Sequence, residues 1–154
     1  MDLLITGSRG IKGPVVYTVL DGFHAKHPIT RLIHGGARGV DQYSGGWAAN
    51  RDIPTRVYQA NWKDHGLKAG YRRNAEMIAN HPGDHTMLLA IWDGQSRGTI
   101  HMLKQMRKSC ASNKALPVFH SYMPLNPWND LHLAWSIPHI TLACQALQDT
   151  KALA

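Results

Sequence analysis

At 154 residues, 44% hydrophobic and 18% charged, the chain has apolar material for one packed domain and too much of it to be disordered. No apolar run approaches the roughly 20 residues of a membrane span. The opening Met1-Asp2-Leu3-Leu4-Ile5 lacks the basic region and cleavage site of a secretion signal, and Cys110 and Cys144 are too few for a disulfide framework, so a cytoplasmic protein with no membrane partner is expected. The net charge of +7 favours anionic partners, either nucleotides or a nucleic-acid backbone.

Strand and helix signals alternate along the chain. Residues 2–6 are a short apolar run. Pro14 suits the first turn of a helix whose stripe is Val16, Val19, Leu20 and Phe23, closed by Pro28. Residues 31–34 read as a second strand, followed by a helix over Val40 to Asn50 with Val40, Tyr43, Trp47 and Ala48 on one face. Pro54 introduces a third strand, Thr55 to Tyr58. A polar loop, Gln59 to Gly66, leads to a helix that aligns Tyr71, Ala75, Ile78 and Ala79. The turn His81-Pro82-Gly83-Asp84 precedes strand 86–91, then a helix presenting Thr99, Leu103, Met106 and Cys110, then a fifth strand, Leu116 to His120. Five strands alternating with helices predict an α/β protein with a mostly parallel, doubly wound five-stranded sheet. Residues 121–138, with three prolines and Trp128 and Trp135, read as irregular. Ile140, Ala143, Cys144 and Leu147 mark a short helix, and residues 149–154 are expected to fray. The division expected is therefore a domain over 1–120 and a C-terminal helical extension over 121–154, suited to covering a sheet edge or to forming a homo-oligomer.

Three glycine-rich turns follow strands: Gly7-Ser8-Arg9-Gly10, Gly35-Gly36-Ala37-Arg38-Gly39, and Asp93-Gly94-Gln95-Ser96-Arg97-Gly98-Thr99. In a doubly wound sheet such turns gather at the carboxyl ends of the strands, where ligands bind. Unpaired backbone N–H groups at a helix start favour an anion there. Gly98 and Thr99 are candidates for phosphate, with Arg97 beside them; Ser96 serves as helix cap, as phosphate donor, or as both. Arg9 offers a fork of donors. Asp41, in a first helical turn, suits either a ribose or the helix dipole. His34 ends a strand, facing the crevice or the core. Trp62 stacks on a base or pins its loop. His24-x-x-His27 and His81-x-x-x-His85 have ligand-like spacing but no accompanying Cys pair or His-Glu-x-x-His, so no protein-built metal site is expected. A magnesium ion carried by a phosphate ligand would have Asp93 as its contact. Neither a Gly-x-Ser-x-Gly elbow nor a Gly-Lys-Thr phosphate loop is present.

The ordered set Gly7-Ser8-Arg9, His34-Gly35-Gly36-Ala37-Arg38-Gly39-Val40-Asp41, Trp62, Gly66 with Ala69-Gly70, Arg73-Asn74 with Met77, and Trp92-Asp93-Gly94 with Ser96-Arg97-Gly98-Thr99 resembles the SLOG superfamily, above all its YspA-like branch of small bacterial and phage proteins. The resemblance spans about residues 3–120. It implies a Rossmann-like three-layer α/β/α fold holding a nucleotide or nucleotide-derived ligand. It also relates the chain to the lonely-guy phosphoribohydrolases, which cleave nucleoside monophosphates, and to DprA, which binds single-stranded DNA. In the lonely-guy family the arginine matching Arg73 is catalytic, and a glutamate follows the Gly-Thr pair by three residues; here that position is Met102. A glycosidase needs a carboxylate, so cleavage would fall to Glu76, the chain's sole glutamate, or to Asp93. The reading favoured is ligand binding, for sensing, sequestering or processing, by Gly7, Ser8, Arg9, His34, Gly35, Gly36, Gly39, Asp41, Trp62, Arg73, Asn74, Asp93, Gly94, Ser96, Arg97, Gly98 and Thr99. The alternatives are an N-glycosidase using Arg73, Glu76 and Asp93, and a single-stranded DNA binder with Arg38, Lys63, Lys68 and Arg72 along the backbone.

Overall fold

The computed structural model describes residues 1–81, 86–111, 119–122 and 133–136. Strands β1 (Asp2–Gly7), β2 (Arg31–His34), β3 (Thr55–Val57), β4 (Thr86–Ile91), β5 (Phe119–Tyr122) and β6 (Leu133–Ser136) form one sheet in the order β3-β2-β1-β4-β5-β6. The contacts from β3 through β5 are parallel, and β6 pairs antiparallel with β5. The helices are α1 (Gly13–Lys26), α2 (Val40–Ala49), a four-residue α3 (Trp62–His65), α4 (Ala69–Asn80) and α5 (Arg97–Ala111), with a 3-10 turn at Gly66–Lys68.

Alternation along the central strands sends side chains to opposite faces. Leu3, Ile5, Leu32, Leu89 and Ile91 pack with Val16, Leu20 and Phe23 of α1 and Val40 and Trp47 of α2. Leu4, Ile33, Leu88 and Ala90 pack with Met77 and Ile78 of α4 and Met102, Leu103 and Met106 of α5. This is the three-layer α/β/α arrangement. The strand order reverses between β1 and β4, so the loops after these two strands meet at the point where crossovers diverge.

The expected count of five strands is corrected. Four strands, β3-β2-β1-β4, form the parallel body sandwiched by helices, and the sheet runs on through β5 into the antiparallel β6. Residues 121–138 are thus not wholly irregular, since they hold the end of β5 and all of β6. The polar stretch after β3 is not a plain loop but contains α3 and the 3-10 turn. The inward face of α4 is Ala69, Asn74, Met77 and Ile78, whereas Tyr71, Ala75 and Ala79 are exposed. The expected turn at 82–84, the start of strand five at 116–118, the side chain of Cys110, and the tail helix around Ile140 to Leu147 lie outside the described residues.

Candidate functional site

The loops after β1 and β4 fasten to each other. The Ser8 backbone N–H donates to the Ile91 carbonyl at 3.0 Å, and the Ser8 carbonyl accepts from the Val40 N–H at 3.4 Å. Ser8 Oγ accepts the Asp93 N–H at 3.0 Å, and Ser8 is 1% exposed. A side chain on Gly7 would run into the Ile91 carbonyl and Val40. Gly39, at φ +79°, lets the next loop press on Arg9, whose Cα would lie 2.6 Å from an added Cβ.

Backbone donors that a glycine-rich turn would offer an anion are largely taken internally. Asp41 Oδ2 accepts the N–H of Gly35 at 3.1 Å and of Ala37 at 3.2 Å. His34 Nδ1 accepts the Gly36 N–H at 3.0 Å. After β4, Asp93 Oδ1 accepts the N–H groups of Gln95 at 2.9 Å and Ser96 at 3.1 Å. Ser96 Oγ caps α5, accepting the Thr99 N–H at 3.4 Å and the Thr99 hydroxyl at 3.0 Å.

Electrostatics follow this burial. Desolvation pushes Asp41 up to about 6, against the pull of Arg73, its two N–H donors and Arg9. Desolvation, helped by the Arg73 charge, drives His34 down to about 4. It also lowers Arg73, while Asp41 pulls the other way. Burial would raise Asp93, but the Gln95, Ser8 and Ser96 hydrogen bonds outweigh it and hold this carboxylate below its ordinary value.

Beside this fastened platform lies a cleft of about 660 Å³. Its floor is Gly35, Gly36, Ala37 and Gly98. Arg9, Arg38 and Arg73 bring positive charge, and Trp62, Leu67 and Tyr71 form an apolar wall, with Gln59, Ala60, Gly70 and Asn74 completing the lining. The wall residues are unusually bare: Trp62 is 52% exposed, Leu67 93% and Tyr71 41%. Tyr71 leans on the His101 ring at 4.6 Å. Arg73 is braced from below, with Nη1 donating to the Gly35 carbonyl and, at 3.3 Å, to Tyr58, and Nε donating to Asn74 Oδ1 at 2.9 Å. Asn74 Nδ2 reaches the Gly98 carbonyl at 3.2 Å, tying α4 to the start of α5.

Of the residues singled out in the sequence, Arg9, Gly35, Gly36, Trp62, Arg73, Asn74 and Gly98 come together around the cleft. Gly7, Ser8, His34, Gly39, Asp41, Asp93, Gly94, Ser96, Arg97 and Thr99 are not among its lining residues. Glu76 lines a separate hollow on the same helix, and Met102 is fully buried in the core. Sequence reasoning missed Gln59, Ala60 and Leu67, and took Tyr71 for core. Trp62, five residues after the last apolar position of β3, was the available signal that this segment is more than a linker. Among the described residues no group of three or more His, Cys, Asp or Glu side chains is placed to hold a metal ion. No helix among them is long and apolar enough to cross a membrane.

A family model described as the YspA, cpYpsA-related SLOG family matches residues 1–65. The Gene 61 protein of Mycobacterium phage D29 is 34% identical over 114 residues, covering 70% of this chain and 89% of the phage protein. No solved structure matches the chain.

Proposed function

Because the chain belongs to the YspA, cpYpsA-related SLOG family, whose members are tied to nucleotide-related ligands, we propose that it binds a phosphorylated nucleotide or nucleotide derivative in the 660 Å³ cleft. The observation that carries this reading is one cavity whose lining brings two exposed aromatic rings, Trp62 and Tyr71, together with three arginines. A base has a flat apolar face and a phosphate has a concentrated negative charge, and these two surfaces suit the two halves of such a ligand. Trp62 and Tyr71 take the base. Arg9 and Arg38 take phosphate, with Gly98 at the α5 N-terminus beside them. Arg73, braced by Asn74, meets the same phosphates.

Binding without cleavage is the better-supported form. The lonely-guy glutamate position is Met102, wholly inside the core. The Asp93 carboxylate is engaged by two backbone N–H groups of its own loop. Glu76 is exposed and does not line the main cleft. None of these supplies a carboxylate against a glycosidic bond in that cavity.

The test is calorimetric titration with nucleoside mono- and diphosphates, followed by chromatography and mass spectrometry of the mixture. Intact nucleotide bound by the protein is expected. Arg9→Ala and Trp62→Ala should each weaken binding about tenfold or more, since a stacked base or a phosphate contact contributes on the order of 1–3 kcal/mol. Both side chains are exposed, so melting temperatures should stay close to wild type. Release of free base and ribose phosphate would replace the binding reading with a glycosidase. Binding only to single-stranded oligonucleotides, with steep salt dependence, would replace it with the DNA reading.

A further inference from the structure

Next to the main cleft lies a second hollow of about 320 Å³ whose lining includes Asn61, His65, Arg72 and Glu76. The two hollows share Gln59 and Arg73 in their linings. Their chemistry differs. The main cleft has the aromatic and leucine wall, whereas the residues lining the side hollow are polar or charged except Ala69 and include no Trp, Tyr or Phe. Its groups include a carboxylate, two carboxamides, an imidazole and two guanidinium groups. Asn61 is occupied in capping α3, exchanging hydrogen bonds with Asp64, and Arg72 Nη1 lies 3.4 Å from His65 Nδ1. The Gln59 and Glu76 side chains make no hydrogen bond among the described residues. An acceptor-only carboxylate beside donors and mixed carboxamides matches hydroxyl groups, which donate and accept at once.

We propose that the side hollow is a subsite for a second, hydroxylated group carried beyond the phosphates, so that the ligand is two-headed: a nucleoside diphosphate bearing a sugar. This rests on the nucleotide reading of the main cleft and extends it. Arg73, common to both linings, lies where a bridging diphosphate would pass. Its Nη1 and Nε are consumed by Gly35, Tyr58 and Asn74, and Nη2 makes no hydrogen bond among the described residues. Glu76 accepts from sugar hydroxyls, and Arg72 donates to them.

The experiment compares matched pairs by calorimetry on the full chain: ADP with ADP-ribose, GDP with GDP-mannose, and UDP with UDP-glucose. For the preferred base, the sugar-bearing member should bind about tenfold tighter, the size of one or two hydrogen bonds to a charged group. Glu76→Ala and Arg72→Ala should each erase most of that advantage and leave the parent diphosphate bound as in wild type. Both residues are exposed, and melting temperature checks that the variants are folded. A diphosphate that binds while its sugar-bearing partner binds no tighter overturns the subsite alone. So does an advantage that survives both substitutions. Failure of every sugar-bearing partner overturns the subsite, and the nucleotide reading falls with it when AMP, GMP and UMP, titrated alongside the diphosphates, also fail to bind.

Discussion

The loops after β1 and β4 and the segments after β2 and β3 are written in similar residues but do different work. Ser8, Asp93, Ser96 and Thr99 spend their polar groups on one another and on nearby backbone. At the strand-order reversal, where an open sheet most often receives its ligand, these loops are fastened together. Arg38, Gln59 and Trp62, after β2 and β3, instead present their side chains to the cleft, and from the fastened loops Arg9 joins them. A glycine-rich turn announces that something approaches the backbone closely. At the first of these turns that something is the end of β4 and the start of α2 in the same chain, as the collision of an added Cβ at Gly7 with Ile91 and Val40 indicates.

The contrast breaks hardest at Gly7. Gly7→Ala forces a methyl group against strand backbone that has little room to yield, and overpacking of this kind costs about 3 kcal/mol. For a domain of this size that corresponds to a fall of roughly 10 °C in melting temperature. A calorimetric scan checks it. A variant as stable as wild type would mean that the two loops separate readily, and that the fastening is not what holds this end of the sheet.

A smaller effect separates the cap from the ligand. Ser96→Ala should cost about 1 kcal/mol, the usual loss of a helix N-cap, read by urea denaturation. Nucleotide affinity should not change, because Ser96 does not line the cleft. If stability holds while affinity falls, Ser96 is a phosphate donor and the comparison between the two sets of loops fails at that residue.

How much of this was legible in the sequence depended on burial. Strands 31–34 and 86–91 stand out because central parallel strands are covered on both faces and read as continuous apolar runs. The α4 face was misread because apolar periodicity assumes that the inward side is apolar. Here the inward side includes Asn74, 3% exposed, and the half-buried Arg73, because it faces the site; Tyr71 projects outward into the wall. Helix α3 has four residues, too few to show a period, so the cleft wall around Leu67 left no pattern. Strand β6 is likewise four residues long, in a stretch whose prolines mask it. The turns were correctly found from their glycines, but glycine spacing carries no record of which N–H groups a nearby carboxylate has already claimed.

The smallest expected effect concerns two of those claims, because they oppose each other. Asp41 and His34 together hold three consecutive backbone N–H groups, those of Gly35, Gly36 and Ala37, under the cleft floor. Asp41 titrates at about 6 in the folded chain, above its ordinary 3.8. The native state therefore takes that proton first, and this group adds stability as pH falls from about 6 towards 3.8. His34 titrates at about 4, below its ordinary 6.5. The unfolded chain takes that proton first, so this group removes stability as pH falls from 6.5 towards 4. Protonation also ends the ability of Nδ1 to accept from Gly36. In wild type the two slopes offset across this window. Asp41→Asn removes only the stabilising one, so its stability relative to wild type should fall progressively as pH is lowered from 7 to 4.5. Urea denaturation of both proteins across that range reads the difference directly, with the acid sensitivity of the remaining surface cancelling between them. Parallel profiles would mean that Asp41 titrates at an ordinary value in the folded chain, and that the carboxylate beneath the cleft is better hydrated than its 5% exposure implies.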